Sequence, residues 1–253
     1  MGVLLEVENV SKFFGGLGAN QNLTFNIEGN EIIGLIGPNG SGKTTLINVI
    51  TGTYTADSGR IRFIGHDIVG LTPYVINRLG IARTYQVVQP FVGMSVLENV
   101  TTGALFGRSG KNRILKAGLE KANEVLALCG MVDKRNELVE NLTIADVKRL
   151  EIAKAMATDP HLLLLDEVMA GLSPKEIDDA LEMLAKINKM GVTLLVVEHV
   201  MKAVMAISHR VIVLHQGRLM AIGNPEAIVK DEQVIKAYLG EKYATRRKKF
   251  GGS

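Results

Sequence analysis

The stretch GPNGSGKT, at residues 37–44, constrains the fold of this chain more than any other feature. It follows the apolar run EIIGLIG, which is typical of a buried strand, and it leads into KTTLINVITG, which has helical character. Glycines let the backbone turn tightly, so that successive N–H groups point at one anion, and the following helix N-terminus adds positive charge. This order of elements predicts an α/β protein that binds phosphate at the loop.

The loop also matches the pattern G-x-x-x-x-G-K-[ST], in which individual positions have chemical roles. Lys43 is expected to neutralise the β- and γ-phosphates of a nucleotide, and the Thr44 hydroxyl is expected to bind Mg²⁺. The alternative is a glycine-rich turn that matches by chance, which the strand before it and the helix after it disfavour. We therefore expect the following residues to bind the nucleotide: Gly37, Pro38, Asn39, Gly40, Ser41, Gly42, Lys43, Thr44 and Thr45.

The rest of the chain alternates short apolar runs with amphipathic segments, which is typical of a largely parallel sheet covered by helices. HLLLLDE and TLLVVEH are predicted to be buried strands, and RVIVLHQGRLMAIGN is predicted to be a hairpin that turns near Gln216 and Gly217. The N-terminal segments LLEVENVSKFF to SGRIRFIGHDI alternate like antiparallel strands and predict a side sheet. Long helical stretches between Val100 and Leu142 predict a helical insertion.

We expect a single domain with three parts. Residues 1–86 and 156–240 are predicted to form the α/β core and the side sheet, residues 87–155 a helical subdomain, and residues 241–253 a basic tail. The length of 253 residues, with 47% hydrophobic and 22% charged residues, predicts a globular chain with a real core. A net charge of +3 is too small for a dedicated nucleic-acid binder, and the single cysteine excludes an internal disulfide.

Charged residues interrupt both segments that might otherwise be read as a signal or a membrane span. Glu6 and Glu8 fall within the N-terminal segment, and Glu198, His199 and Lys202 fall within the most apolar later window, GVTLLVVEHVMKAVMAI. The sequence therefore predicts a soluble chain that reaches a membrane only through a partner.

Acidic and histidine side chains follow two of the predicted strands. Asp166 and Glu167 end LLLLDE, and His199 ends LLVVEH. Because ligands of parallel α/β sheets lie at the carboxyl ends of the strands, Asp166 is expected to contact Mg²⁺ and Glu167 to polarise an attacking water. His199 would reach a γ-phosphate. Taken alone, the two acids could instead mark a strand that emerges into solvent, and a lone histidine is more often structural.

Together these motifs resemble the ATP-binding subunits of ABC transporters over nearly the whole chain. Phe14 in SKFFGG is similar to the family's adenine-stacking aromatic residue. Gln86 in GIARTYQ is similar to the Q-loop glutamine, which links the γ-phosphate and Mg²⁺ to the helical insertion and the membrane subunit. Asp166 and Glu167 resemble the Walker B pair, His199 the switch histidine, and MAGLSP the D-loop. The resemblance implies a RecA-like P-loop NTPase core with an antiparallel β side sheet and an inserted helical subdomain.

The same resemblance implies ATP hydrolysis coupled to transport, with ATP and Mg²⁺ as cofactors. The implied catalytic residues are Lys43, Gln86, Glu167 and His199, and the implied metal-binding residues are Thr44, Gln86 and Asp166. The segments FGGLGA, GIARTYQ, MSVLENV, LLLLDEVMAGLSP and VVEHVMKAVM are most similar to the ATPases of branched-chain amino-acid importers. The implied partners are transmembrane permease subunits, a second ATP-binding subunit and, indirectly, a solute-binding protein, at the cytoplasmic face of the cell membrane and without nucleic acid.

Several related functions compete with this interpretation. Importers of urea or amides and exporters of lipopolysaccharide have similar ATPases. A P-loop kinase would share the phosphate loop but would not need the strand ends DE and EH. DNA-repair and translation ATPases of the same superfamily usually carry a second cassette or a long coiled-coil arm, and the sequence predicts neither. The motifs themselves name no solute, and they fit a pair of identical chains as well as a pair of different ones.

One motif departs from the family. The signature L-S-G-G-Q aligns with LTIAD at residues 142–146, where Thr143 keeps the hydroxyl while Ile144, Ala145 and Asp146 replace the glycines and the glutamine. In that family each ATP lies between one subunit's phosphate loop and the other's signature, so Thr143 is expected to meet the partner's nucleotide. Asp146 would place a carboxylate near an anion. The local alternative is that Thr143-x-x-Asp146 is a capping box that starts a helix well.

The altered signature leads to the hypothesis of an asymmetric pair. The site built on Lys43, Glu167 and His199 of this chain would use a partner's intact signature and hydrolyse ATP normally. The opposite site would use LTIAD and be slow, because loss of one donor to the transition state lowers a rate by roughly 10²–10³-fold. The alternative is a tolerated variant of the motif.

Overall fold

A computed structural model describes residues 2–85, 89–108 and 114–239. The strands in these ranges are β1 (Val3–Phe14), β2 (Leu17–Glu28), β3 (Ile32–Ile36), β4 (Ser58–Phe63), β5 (His66–Asp67), β6 (Ile81–Arg83), β7 (Leu162–Asp166), β8 (Thr193–Val197), β9 (Arg210–His215) and β10 (Arg218–Gly223). The α-helices are α1 (Lys43–Ile50), α2 (Pro73–Leu79), α3 (Val96–Phe106), α4 (Leu115–Leu128), α5 (Ile144–Ala157), α6 (Pro174–Lys189), α7 (Met201–Ile207), α8 (Pro225–Ile228) and α9 (Glu232–Leu239).

The central sheet has the strand order β10-β9-β3-β8-β7-β6. Its strands β9, β3, β8, β7 and β6 are parallel, and β10 is antiparallel to β9. Every residue of β3, β7 and β8 is buried, because helices cover both faces of such a sheet and leave no face for polar side chains. The predicted parallel α/β core is thereby confirmed.

The side sheet is antiparallel, with the order β2-β1-β4-β5, as the alternating N-terminal segments predict. Its inward-facing residues, such as Leu5 and Ile61, join one apolar cluster with Leu46 and Ile47 of α1 and Leu35 of β3. Burial of this cluster fixes α1 against both sheets. The helix that follows the phosphate loop therefore has a rigid support.

Helices α3, α4 and α5 lie between β6 and β7 in the chain, in the region where the sequence predicts a helical insertion. Ser95 begins α3 with a capping box, in which its hydroxyl accepts from the Glu98 N–H and the Glu98 carboxylate accepts from the Ser95 N–H. Cys129, at the end of α4, is buried in the same apolar cluster as these helices, and burial raises the pKa of its thiol to about 12. It is an inert part of the core.

The parallel order places the ends of β3, β7 and β8 at one edge of the central sheet. The phosphate loop follows β3, Glu167 follows β7, and His199 lies just after β8. The hairpin of β9 and β10, which turns at Gln216 and Gly217, is joined to the same edge. Gly217 accepts from the Gln21 N–H (2.7 Å) and donates its own N–H to the Ser41 carbonyl (3.0 Å).

Within the described ranges, no helix combines the length and the apolar character that crossing a lipid bilayer requires. Gln86 and the predicted basic tail at residues 241–253 lie outside the described residues.

Candidate active site

A cleft lies at this edge of the central sheet. Several predicted nucleotide-binding and catalytic residues line it together, although they come from different parts of the chain: Phe14, Asn39, Gly40, Ser41, Gly42, Lys43, Thr44, Thr45, Glu167 and His199. Residues of the hairpin also line it: His215, Gln216, Arg218, Leu219 and Met220. The cleft thus combines an anion-binding loop, a carboxylate, an imidazole and an aromatic ring.

The phosphate loop is held in shape by its own lysine. The Lys43 ammonium donates to the Gly37 carbonyl (2.7 Å) and the Pro38 carbonyl (3.1 Å), across the turn. Burial lowers the pKa of Lys43, while the negative charges of Glu167 and Asp166 oppose that effect. The Lys43 ammonium therefore lies between the loop carbonyls and the two carboxylates that are expected to act on the same nucleotide.

A residue of β2 fixes the other end of the loop. The Asn20 amide, which is buried, donates to the Gly42 carbonyl at 3.0 Å. Gly42 has φ +101°, and a Cβ there would lie 2.3 Å from the Ala19 carbonyl oxygen, so the position requires glycine. The start of α1 is consequently locked to the side sheet.

Phe14 presents an open aromatic surface at the end of β1. Its side chain is 43% exposed, yet it is held from the side by Tyr54, edge-on at 5.2 Å between ring centroids and 75° between planes. The Lys12 ammonium lies 5.6 Å from the Phe14 ring centre and bonds to Asp57 at 2.8 Å. A ring that is positioned but exposed is suited to stacking on a planar base.

Glu167 and His199 meet directly. The His199 Nε2 atom is 2.7 Å from Glu167 Oε1, which joins the residues that follow β7 and β8. Glu167 adopts φ +53°, a left-handed conformation that is rare for a residue with a side chain. Its N–H donates to the Val197 carbonyl at 2.9 Å. The two side chains expected to act on the γ-phosphate are thus brought together.

Asp166 is buried at the end of β7, with only 2% of its surface exposed. Neither carboxylate oxygen has a hydrogen-bond partner within the described residues, and the nearest positive charge, Arg83 Nη2, is 3.9 Å from Oδ2. Burial raises the pKa of Asp166, and Arg83 counteracts this. Thr44 lines the same groove as Asp166. A carboxylate with unused oxygens beside a hydroxyl fits Mg²⁺, which prefers oxygen ligands. Gln86, the third predicted metal-binding residue, is outside the described residues.

The altered signature forms the start of α5. Thr143 is the N-cap and its hydroxyl accepts from the Asp146 N–H at 3.2 Å. The Asp146 carboxylate accepts from the Thr143 hydroxyl at 2.6 Å. The predicted capping box is therefore half formed, with Asp146 bound to the Thr143 hydroxyl. Ile144 and Ala145 have ordinary helical backbone, so replacing the family's glycines stores no strain here.

The charge of Asp146 has a partner that the sequence analysis did not foresee. Lys134 donates to Asp146 Oδ2 at 2.5 Å. The carboxylate lies at the start of α5, as expected, but its negative charge is paired with the positive charge of Lys134. Ile144, in contrast, is 70% exposed at the tip of the helix.

Other cleft residues were missed because no local motif marks them. Gln21 of β2 accepts from the Arg218 guanidinium of β10 at 3.0 Å, and both line the cleft with His215. Tyr54 supports Phe14 from beyond α1. These residues meet only because the hairpin packs against the side sheet, so no local sequence pattern could have identified them.

Comparisons with known proteins agree with this geometry. The chain matches a family model described as "ABC transporter" over residues 20–170, and one described as "Branched-chain amino acid ATP-binding cassette transporter" over residues 218–244. It is 39% identical over 250 residues to the high-affinity branched-chain amino acid transport ATP-binding protein BraF of Pseudomonas aeruginosa, covering 94% of this chain and 98% of the relative. It is also 40% identical over 250 residues to the high-affinity branched-chain amino acid transport ATP-binding protein LivG of Escherichia coli, covering 94% of this chain and 98% of the relative.

Solved structures show the same fold. A nucleotide-free ATP-binding cassette from an ABC transporter superposes with a TM-score of 0.85 and 30% identity, covering 95% of this chain and 100% of that chain. The ADP conformation of an ATP-binding cassette of an ABC transporter gives the same TM-score of 0.85, identity of 30% and coverage.

Proposed function

The chain belongs to the ABC transporter family of ATP-binding subunits, and we propose that its ATP hydrolysis powers an importer of branched-chain amino acids. It would drive a membrane permease that receives its solute from a separate binding protein. The observation that carries the proposal is the meeting of the phosphate loop, Glu167 and His199 in one cleft. The solute class is supported by the names of relatives at 39% and 40% identity.

Nucleotide binding would use the two ends of the cleft. The adenine base would stack on the exposed face of Phe14, and the phosphates would meet the backbone N–H groups of residues 39–45, which lead into α1. Lys43 would exchange its bonds to the Gly37 and Pro38 carbonyls for bonds to phosphate oxygens. Because the ammonium already lies within the phosphate loop, this exchange would need little movement of the lysine.

Asp166 and Thr44, with Gln86, would hold the Mg²⁺ that accompanies the nucleotide. A bound Mg²⁺ supplies positive charge to the β- and γ-phosphates. The role of Asp166 is supported by its buried carboxylate oxygens, which have no hydrogen-bond partner in the described part of the chain. Arg83, at 3.9 Å, is positioned to compensate part of that negative charge when Mg²⁺ is absent.

Hydrolysis would use Glu167 as the base that accepts a proton from the attacking water. His199, bonded to the Glu167 carboxylate, would fix its direction and contact the γ-phosphate. Both groups sit at the ends of buried strands, which makes their separation reproducible. A base held this way adds roughly 10²–10⁴-fold to a rate.

The working assembly would be two ATP-binding subunits on the cytoplasmic face of a membrane, docked to permease subunits. Each nucleotide would lie between one subunit's loop and the other's signature. We propose that the site completed by this chain's LTIAD is the slower one, because the Thr143 hydroxyl already donates its proton to Asp146. The charge of Asp146 contributes less to the defect, since Lys134 neutralises it.

Transport by the reconstituted complex tests the proposal. The chain is purified with its permease and second ATP-binding subunit, placed in proteoliposomes and supplied with the binding protein. ATP on the side of the ATP-binding subunits should drive uptake of labelled leucine, isoleucine or valine, and Glu167→Gln should abolish it. Uptake of urea or an amide, or lipopolysaccharide export, would overturn the solute class. Phosphoryl transfer to a small acceptor without transport would overturn the transport function.

A further inference from the structure

We propose that Lys148 is a positioning residue for ATP hydrolysis, which holds the turn that carries Glu167. That turn, Glu167–Gly171, is called the base turn below. Lys148 lies on α5, five residues after Thr143, and no motif in the sequence marks it. The inference rests on the proposed function, since it assigns Lys148 a part in the reaction for which Glu167 is the base.

The base turn has a backbone that its surroundings must hold. Glu167 has φ +53°, and such a conformation at a residue with a side chain persists only where neighbouring contacts determine it. Two backbone bonds help: the Glu167 N–H donates to the Val197 carbonyl (2.9 Å), and the Ala170 N–H donates to the Glu167 carbonyl (3.3 Å). The second bond is long, so further support is needed on the carbonyl side.

Lys148 supplies that support. Its ammonium donates to the Glu167 carbonyl at 3.0 Å and to the Ala170 carbonyl at 2.5 Å, bridging the first and fourth residues of the turn. Hydrogen bonds from an ionised donor are about twice as strong as neutral ones. One side chain of α5 therefore closes the base turn.

Glu198, the residue that follows β8, holds the middle of the base turn. It is 2% exposed, lies between β8 and His199, and accepts from the Met169 N–H at 2.6 Å. Burial lowers the pKa of Lys148 and raises the pKa of Glu198, and the opposite charge of each group counteracts part of that effect on the other. Two opposite charges from α5 and from the end of β8 thus fix the three carbonyl and N–H groups that orient Glu167.

The expected defect without Lys148 is specific. The Glu167 and Ala170 carbonyls would lose their ammonium donor, the turn would relax, and the carboxylate would move away from its place beside His199. Nucleotide affinity would stay, because no contact of Lys148 involves the phosphate loop in the described residues. A misplaced base lowers kcat, whereas a lost binding contact raises KM.

The test compares variants of the full complex by steady-state ATP hydrolysis. The rate left in the Glu167→Gln complex belongs to the other site and is subtracted. Lys148→Met should lower kcat by about 10- to 100-fold with KM for ATP changed less than about threefold. Lys148→Arg, which keeps a charged donor, should recover most of the rate. Lys186→Met, on an exposed position of α6, is the matched control and should behave as wild type.

The results separate the two proposals. If the wild-type complex hydrolyses no more ATP than Glu167→Gln, the proposed function fails. If the wild type is active and Lys148→Met stays within twofold of it, or changes KM alone, the role of Lys148 is wrong. Circular dichroism melting checks folding. If Lys148→Met does not fold, Lys148→Gln, which has a shorter and uncharged donor, takes its place. Its kcat and KM are then compared with those of wild type under the same twofold criterion.

Discussion

The His199 Nε2 atom lies 2.7 Å from Glu167 Oε1 at the edge of the central sheet, so a side chain that follows β8 contacts one that follows β7. The strand order explains the contact. β7 and β8 are adjacent and parallel, with Asp166 opposite Val197, and the residues immediately after them are consequently neighbours. The contact depends on the turns that follow both strands as well as on the strand order itself.

Replacing Glu167 by Gln should stop hydrolysis and leave binding intact. An amide cannot accept the proton of the attacking water, so the rate should fall by about 10²-fold or more. Phosphate release measures hydrolysis, and the fluorescence of a labelled ATP analogue measures binding. Glu182→Gln, at an exposed position of α6, is the control. Near-normal turnover in Glu167→Gln would remove Glu167 as the base.

Phe14→Ala should weaken ATP binding by about tenfold, since stacking on an aromatic ring contributes about 1–3 kcal/mol. Phe13 offers a matched control, because it is the neighbouring residue of the same type and is 47% exposed outside the cleft-lining set. Titration with labelled ATP gives both dissociation constants. Equal losses for Phe13→Ala and Phe14→Ala would show that the adenine does not stack on Phe14.

Asp166→Asn should raise the Mg²⁺ concentration required for hydrolysis. The amide keeps the shape of the carboxylate but removes the charge whose oxygens have no hydrogen-bond partner in the described chain. Hydrolysis measured against Mg²⁺ at fixed ATP gives the shift, which we expect to be about tenfold or more. A chelator should abolish the wild-type rate. The exposed Asp178→Asn on α6 should not move the curve.

Repairing the signature tests the asymmetry of the two sites. The triple variant Ile144→Gly, Ala145→Gly and Asp146→Gln frees the Thr143 hydroxyl and restores the family's residues. ATP hydrolysis by the assembled complex should rise if the LTIAD site is the slow one. An unchanged rate would mean that the altered signature works as it stands.

The Asp146 contacts also predict a pH-dependent stability. Burial alone would raise the pKa of Asp146, but the hydrogen bonds from Lys134 and Thr143 outweigh it and lower that pKa. Because the folded pKa is the lower one, the ionised group adds stability above the unfolded pKa of about 3.9, and this is lost as pH falls through the folded pKa.

Asp146→Asn should therefore lower the urea midpoint at pH 7, and the difference from wild type should shrink at pH values below about 3.9. The control is Glu182→Gln, which removes a carboxylate from an exposed position of α6. If the difference in urea midpoint between Asp146→Asn and wild type is the same at pH 7 as at a pH below about 3.9, Asp146 makes no ionic contribution to stability.

Much of the fold follows from local sequence. The apolar runs of β3, β7 and β8, the antiparallel alternation of the side sheet and the Gln216-Gly217 turn all lie where the patterns predict them. Short runs that are buried on both sides leave few alternatives to a parallel sheet. The placement of Glu167 and His199 at the carboxyl ends of parallel strands also follows, whereas the adjacency of β7 and β8, which brings the two side chains into contact, is seen only in the fold.

The contacts that were not predicted join residues of different structural elements. Lys134 pairs with Asp146, and Lys148 reaches the base turn, but nothing in the spacing of either lysine distinguishes it from a solvated one. Likewise, the Thr143-x-x-Asp146 pattern predicts the N-cap correctly while leaving open which donor the carboxylate uses. Such choices depend on side-chain geometry in the folded chain.

The Gly217 bonds to Ser41 and Gln21 have a thermodynamic consequence for the C-terminal hairpin. A nucleotide bound at the phosphate loop would stabilise the loop conformation that accepts the Gly217 N–H. By reciprocity, any opening of the hairpin must weaken nucleotide binding by the same factor by which the nucleotide suppresses that opening. Amide hydrogen exchange at residues 216–218 is thus a reporter of occupancy in a cleft whose principal motif lies some 175 residues earlier in the chain.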